Sequence, residues 1–250
     1  MLVRMQSGPA ARGVSSTWSL WTFLLRDLVA LAALTIGFAH GARAHSLDDV
    51  DAMLQSDERY FQQIDKPTPD FTLRAEDGRI VRLANLVGKV VVLHFIYTSC
   101  PDVCPLHAEK IAEIQKMVNS TPMKDQVVFT SITTDPSKDT PDVLKAYGPA
   151  HGLDPVNWLF LTTTQDQPEN TTRKLAEAFG HKFTLTDDGY QMHGIVTHVI
   201  DKEGRWRANF HGMDFDPINL VTLVNALTNN VERPHHGQDE GWLAKLKNLL

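Results

Sequence analysis

The chain has 250 residues, a formal net charge of −6 and 42% hydrophobic residues. This length allows one large domain or two small ones, and the composition is that of a globular protein with a hydrophobic core. The charge argues against nucleic acid as a partner, because phosphate binding requires a dense basic face, and the sequence has no basic stripe with interleaved aromatic residues.

Residues 1–44 have the pattern of a signal peptide or membrane anchor. Arginines precede an apolar stretch over 28–39, which suits a signal-peptide core and is short for a membrane span of ~20 apolar residues. Small residues at Ala42 and Ala44 match a signal-peptidase site. We therefore expect export to the periplasm with cleavage after Ala44, and an uncleaved anchor in the inner membrane is the alternative. Membrane contact would then run through this segment.

The remaining chain divides into three parts. Residues 45–66 are polar with scattered apolar positions and predict a leader helix or loop packed on the domain. The domain proper is predicted over 67–231, and it opens with two short strands joined at Asp77-Gly78, a dipeptide typical of hairpin turns. Residues 232–250 form a tail with a short amphipathic end, predicted to be solvated or packed on the domain, with a partner or membrane contact as the alternative.

Apolar strands alternate with helical patterns inside the domain. The run over 89–97 is apolar on both faces, which predicts a central strand, and a helix with Pro105 at its first position follows. The later predicted elements are strands over 126–132 and 158–161, helices over 140–147 and 171–179, a hairpin over 194–210 and a last helix from Asp216 to near Asn230. This order, with a cysteine pair after the central strand, predicts an α/β thioredoxin-like fold in which helices flank a central mixed sheet.

The two cysteines of the chain, Cys100 and Cys104, directly follow the central strand. A disulfide between them would close too short a loop to stabilise the fold much. Side chains four apart share one helix face, and a helix N-terminus favours thiolates, which prefer copper(I) or zinc. Three intervening residues leave more room for a metal than a Cys-x-x-Cys pair, although a disulfide is also possible. The pair is predicted to bind a metal or to exchange electrons.

A metal site with two cysteines needs at least one more ligand, and the candidates are histidines. His193 lies just before the strand predicted from Ile195, and in a thioredoxin-like fold the loop at this point faces the cysteine helix. We therefore predict His193 as the third ligand. We expect His94 to be a core residue of its strand and His198 to have a core or face role in a strand. The weaker candidates are His107, His211, His45, His235, His236 and Met192.

The segment Phe95–Pro105 resembles, almost residue for residue, the cysteine motif of the Sco/SenC family, the copper-binding assembly factors of cytochrome c oxidase. The segment Thr134–Pro141 resembles the Asp-Pro…Asp-Thr-Pro loop of that family. The copper histidine of the family lies eleven residues before the glycine of the final hairpin turn, and His193 lies eleven residues before Gly204. The resemblance covers residues 67–230.

The resemblance implies a copper metallochaperone in which Cys100, Cys104 and His193 hold one copper ion and deliver it to the binuclear copper centre of an oxidase subunit. The alternative is a thiol-disulfide oxidoreductase that reduces the cysteines of that centre, with Cys100 and Cys104 as its redox pair and a thioredoxin-like reductant as a further partner. A peroxidase of the peroxiredoxin type is a third hypothesis, and the sequence lacks the proline that precedes the peroxide-reducing cysteine in such enzymes. Met192 stands where the family often has an acidic residue, which leaves the preference between copper(I) and copper(II) open.

Overall fold

The computed structural model describes residues 46–185, 191–192 and 194–229. The predicted signal or anchor segment, the tail over 232–250 and His193 lie outside these residues. The helices are α1 (Leu47–Asp57), α2 (Val103–Asn119), α3 (Pro141–Ala150), α4 (Thr171–Ala178) and α5 (Pro217–Thr228). The strands are β1 (Phe61–Pro67), β2 (Thr72–Ala75), β3 (Ile80–Arg82), β4 (Val90–Ile96), β5 (Val127–Thr133), β6 (Trp158–Thr162), β7 (Thr184–Leu185), β8 (Gln191–Met192), β9 (Val196–Ile200) and β10 (Arg205–His211). Short 3-10 turns span Leu83–Leu86 and Pro122–Gln126.

The main sheet has the strand order β1-β10-β9-β4-β5-β6-β2-β3. Strands β4, β5 and β6 are parallel, and the other neighbours pair antiparallel. Every residue of β4 is buried, as the run of apolar residues on both faces predicted. The central mixed sheet flanked by helices is confirmed.

The two faces of β4 pack against different helices. Val90, Val92 and Ile96 belong to a core that includes side chains of α1, α2, α3 and α5. The alternate residues, Val91 and Leu93 among them, belong to a second core that includes side chains of α4. Because successive side chains of a strand point to opposite faces, the cysteine helix α2 covers only the first of these faces.

Most predicted elements are present with small shifts of their ends, and two features differ. Strand β1 begins within the predicted leader segment and ends at Pro67, the first residue of the predicted domain. It pairs antiparallel with β10, so this part of the leader is an edge strand of the main sheet. Helix α2 begins at Val103, which makes Pro105 its third residue instead of its first. Proline is accommodated there because the first N–H groups of a helix have no acceptor within the helix.

Candidate metal centre

Cys100 and Cys104 lie where β4 ends and α2 begins. Both thiols are free and buried, with side chains 6% and 5% exposed. The backbone N–H of Cys104 donates to Sγ of Cys100 at 3.4 Å, and Tyr97 and Val103 pack against the pair. The junction of strand and helix therefore brings two thiols, which are soft donor groups, together in an apolar setting.

The two thiols are electrostatically different. Burial raises the pKa of Cys100, but the N–H groups of Asp102 and Cys104 donate to its sulfur, and its pKa falls below the ordinary thiol value. Burial dominates at Cys104 and raises its pKa to about 12, and the nearby charges of Cys100 and Asp139 act in the same direction. The expectation that the helix N-terminus stabilises both thiolates is wrong for Cys104, because its desolvation outweighs the helix.

The side chain of Asp139 forms hydrogen bonds with the segment between β4 and α2, residues 97–102, which we call the cysteine loop. Its carboxylate, which is fully buried, accepts the backbone N–H of Thr98 at 3.0 and 3.2 Å and the hydroxyl of Thr98 as well. It also accepts the hydroxyl of Thr133, the last residue of β5, at 2.5 Å. In the sequence Asp139 is one residue of the family-like loop Thr134–Pro141, directly before the N-cap Thr140 of α3, and this role was not predicted.

The histidines in the described part of the chain form hydrogen bonds with other residues of the fold. His94 and His198 are completely buried in β4 and β9, as expected. His107 lies on α2 and its Nε2 is 2.9 Å from the hydroxyl of Thr197. His211 ends β10 with Nε2 at 2.9 Å from the side-chain oxygen of Gln62. Within the described part of the chain, no three or more His, Cys, Asp or Glu side chains are arranged to hold a metal ion.

The remaining candidates depend on chain segments with no described side chains. His193, His45, His235 and His236 lie outside the described residues, and Met192 is described only as the end of β8. Strand β9 runs antiparallel to β4, with Thr197 opposite His94, so the first residues of β9 lie beside the last residues of β4. The chain that follows His193 therefore enters the sheet at the same end of the strands as the cysteines.

In the residues that the structure covers, no helix is both long enough and apolar enough to cross a membrane.

Comparison with known proteins places the chain in a family. The profile of the SCO1/SenC family matches residues 61–229, more than half of the chain. The SCO2-like protein of Rickettsia prowazekii is 32% identical over 143 residues, which are 56% of this chain and 67% of that protein. A SCO1/SenC family lipoprotein from Bacillus anthracis superposes with a TM-score of 0.60 at 26% identity, covering 66% of this chain and 97% of that one. The copper-bound ScoI of Bradyrhizobium japonicum superposes with a TM-score of 0.53 at 26% identity, covering 64% of this chain and 99% of that one. The chain belongs to the SCO1/SenC family.

Proposed function

We propose that this protein is a copper metallochaperone that binds one copper ion through Cys100, Cys104 and His193. The observation that carries the proposal is the pair of free, buried thiols at the end of β4 in a chain of the SCO1/SenC family. Copper is the metal in the Bradyrhizobium relative. The Sco family is described as one of cytochrome c oxidase assembly proteins, and the proposed recipient is the binuclear copper centre of such an oxidase.

The chemistry of the two thiols suits a cargo that must be released again. Thiolates are soft ligands and select copper(I) over hard cations. Each thiol loses its proton when it binds the metal, so copper binding competes with protons, most strongly at Cys104 with its raised pKa. With three protein ligands, copper keeps a position at which a ligand of the recipient can bind, and the ion passes between proteins by ligand exchange.

The proposed place of action is the periplasm. The signal-like pattern of residues 1–44 supports export, and the Bacillus anthracis relative is a lipoprotein. The protein acts there either as a mature soluble domain or while held at the inner membrane by its N-terminal segment.

A second candidate function rests on the difference between the two thiols. In thiol-disulfide exchange the thiolate attacks, and Cys100, with its lowered pKa, is the better attacking group. Its thiolate would attack a disulfide of the oxidase copper site and form a mixed disulfide. Cys104 would then displace the recipient as a dithiol and leave a Cys100–Cys104 disulfide, which a thioredoxin-like reductant would have to reduce.

The test is an anaerobic titration of the reduced protein with copper(I) against a chromophoric chelator of known affinity. We expect one copper ion per chain, and His193→Ala should weaken binding about tenfold or more, since it removes one of three ligands. His211→Ala is the matched control, because it removes an exposed histidine that bonds Gln62, and it should leave the affinity unchanged. Unchanged affinity in His193→Ala would remove His193 from the site. Absence of a copper complex, together with rapid reduction of a disulfide in a peptide from the oxidase copper site, would favour the oxidoreductase.

A further inference from the structure

A row of polar side chains crosses the middle of the sheet beneath the cysteine helix. Thr197 of β9 pairs with His94 of β4, and His94 pairs with Ser131 of β5. Directly paired residues of neighbouring strands point to the same face. Phe210 continues the row on one side and Phe160 on the other, so three polar residues interrupt an otherwise apolar line.

This row lies on the face that α2 covers. Val92 and Ile96, two residues before and after His94 in β4, belong to the same core as the buried side chains of α2. His94, Ser131 and Thr197 are all completely buried there. The cysteine helix therefore packs over polar groups, which are costly to bury unless they form hydrogen bonds.

His107 of α2 contacts this row of polar side chains. Its Nε2 lies 2.9 Å from the hydroxyl of Thr197, and its ring centroid lies 4.8 Å from that of His94. On the other side of the row, Nε2 of His94 lies 3.2 Å from the hydroxyl of Ser131, which also accepts the indole N–H of Trp158 at 3.1 Å. His107 thus connects α2 to β9 and contacts His94 of β4, and hydrogen bonds through Ser131 continue the network to β5 and β6.

Such a row favours one position of the helix. A shift of α2 by one residue moves its side chains by ~1.5 Å along the axis and turns them by about 100°, which would take His107 away from Thr197. A buried polar group that loses its partner costs roughly 1–3 kcal/mol. An apolar row would lack this penalty and would hold the helix less specifically.

We propose that His107 and Thr197 are positioning residues of the metal site. His107 lies three residues after Cys104 and shares its side of α2, so a bond that holds His107 also sets the position of the Cys104 sulfur. Thr197 lies four residues after His193 in the sequence and is the second residue of β9. The hydrogen bond between them sets the distance between the cysteine pair and the start of β9. The inference rests on the proposed function, which it extends to residues that do not touch copper.

The test compares two substitutions at one position. Thr197→Val replaces the hydroxyl by a methyl group of the same shape and removes the bond to His107. Thr197→Ser is the matched control, because it keeps the hydroxyl. We expect Thr197→Val to weaken copper(I) binding about tenfold, as loss of groups that orient ligands generally does. In a second sample, loaded with copper(II), Thr197→Val should shift the thiolate-to-copper(II) absorption band. Thr197→Ser should retain the band of the unsubstituted protein.

A measurement without metal separates this inference from the proposed function. Equilibration of the Cys100–Cys104 pair with dithiothreitol reports the relative placement of the sulfurs whether or not the protein binds copper. We expect a change of about tenfold in the equilibrium constant for Thr197→Val, or ~30 mV for this two-electron couple, and a much smaller change for Thr197→Ser.

A double variant distinguishes a loss of positioning from a general loss of stability. Thr197→Val alone leaves His107 buried without this partner, and His107→Phe with Thr197→Val removes both polar groups, which restores stability when the shapes match. A stable double variant that still shows the shifted absorption band and altered equilibrium supports positioning. A folded Thr197→Val protein, or a folded double variant, with the affinity, band and thiol equilibrium of the unsubstituted protein would overturn the proposal.

Discussion

Cys100 and Cys104 are separated by three residues, yet their surroundings give them different acidities. The sulfur of Cys100 faces the N–H groups at the start of α2, which stabilise its negative charge. The sulfur of Cys104 lies deeper, where burial and the neighbouring charges of Cys100 and Asp139 favour the thiol. A single cysteine pair thus contains one thiol whose pKa lies below the ordinary thiol value and one whose pKa is raised to about 12.

We predict that Cys100 reacts with iodoacetamide before Cys104 in the reduced, metal-free protein. The thiolate is the nucleophile, so at about pH 8 the group with the lower pKa should react at least roughly tenfold faster. Timed alkylation in the presence of a chelator, followed by mass spectrometry of the peptides, measures both rates. Cys104→Ser and Cys100→Ser provide the rate of each thiol alone. Equal rates, or faster reaction at Cys104, would contradict the difference in acidity.

The residues of the candidate metal centre differ in how far the sequence could predict them. The cysteine pair could be predicted because its position after an apolar run depends on local sequence alone. The spacing of Cys104 and His107 predicts a shared helix side, but the partner of His107 is Thr197, ninety positions further along the chain. That contact depends on the register between β4 and β9, which no local pattern specifies. His107 was a weak ligand candidate because it lies near the cysteines but three residues into the helix, and its bond to Thr197 was not predicted.

The loop between β5 and α3 connects three elements through one carboxylate. Asp139 receives hydrogen bonds from Thr98, in the cysteine loop after β4, and from Thr133 at the end of β5. The next residue, Thr140, caps α3 by accepting the N–H of Val143 at 3.4 Å. The cysteine loop is thereby held against its parallel neighbour strand and not only by its own helix.

Asp139→Asn should destabilise the fold by about 1.5–3 kcal/mol, because hydrogen bonds to a charged acceptor are lost and an amide N–H₂ faces donors of Thr98 or Thr133. Urea unfolding of the reduced protein measures the change. Asp142→Asn is the matched control: it makes the same chemical change at an exposed residue in the first turn of α3, where we expect a loss below about 1 kcal/mol. Equal losses in the two variants would show that the buried carboxylate has no special part in holding the loop.

The elements that the sequence predicted are those with strong local patterns. Strand β4 and the Asp77-Gly78 hairpin follow from apolar runs and turn residues, and both are present. Strand β1 was missed because its sequence, Phe-Gln-Gln-Ile-Asp-Lys-Pro, is largely polar and has the composition of a leader or loop. It is an edge strand, and its partner β10 is far away in the sequence, with Phe61 opposite Phe210. The strand therefore forms only when the tertiary structure brings the two segments together.

The molecule contains a second buried polar network, on the face of the sheet opposite α2. Nδ1 of His198 lies 2.7 Å from Oδ1 of Asn209, and its Nε2 lies 2.9 Å from Nε2 of His181. The amide of Asn209 donates in turn to the side chain of Gln62 in the edge strand β1 at 3.0 Å. Because Asn209 Oδ1 can only accept, His198 donates from Nδ1, and its neutral Nε2 accepts the N–H of His181.

This arrangement keeps His198 neutral and links the stability of the whole domain to pH. Burial lowers the pKa of His198 well below its ordinary value, His181 lowers it further, and the bond to Asn209 opposes them only in part; His211 and His107 also act to lower it. In the unfolded chain the same imidazole binds a proton near pH 6.5. The unfolded state therefore binds more protons than the native state below that pH, and stability is lost as the pH falls from about 6.5 toward the folded pKa.

We predict that the free energy of unfolding decreases by up to about 1.4 kcal/mol per pH unit below pH 6.5 from this one group. Urea unfolding at about pH 7.5, 6.5 and 5.5 measures the slope in a range where most carboxylates stay ionised. His198→Gln is the control, because its side-chain amide can still bond Asn209 but does not titrate, and its slope should be smaller by that amount. If the free energy of unfolding depended on pH equally in the two proteins, the prediction would be wrong. The native fold would then bind a proton at His198 as readily as the unfolded chain does.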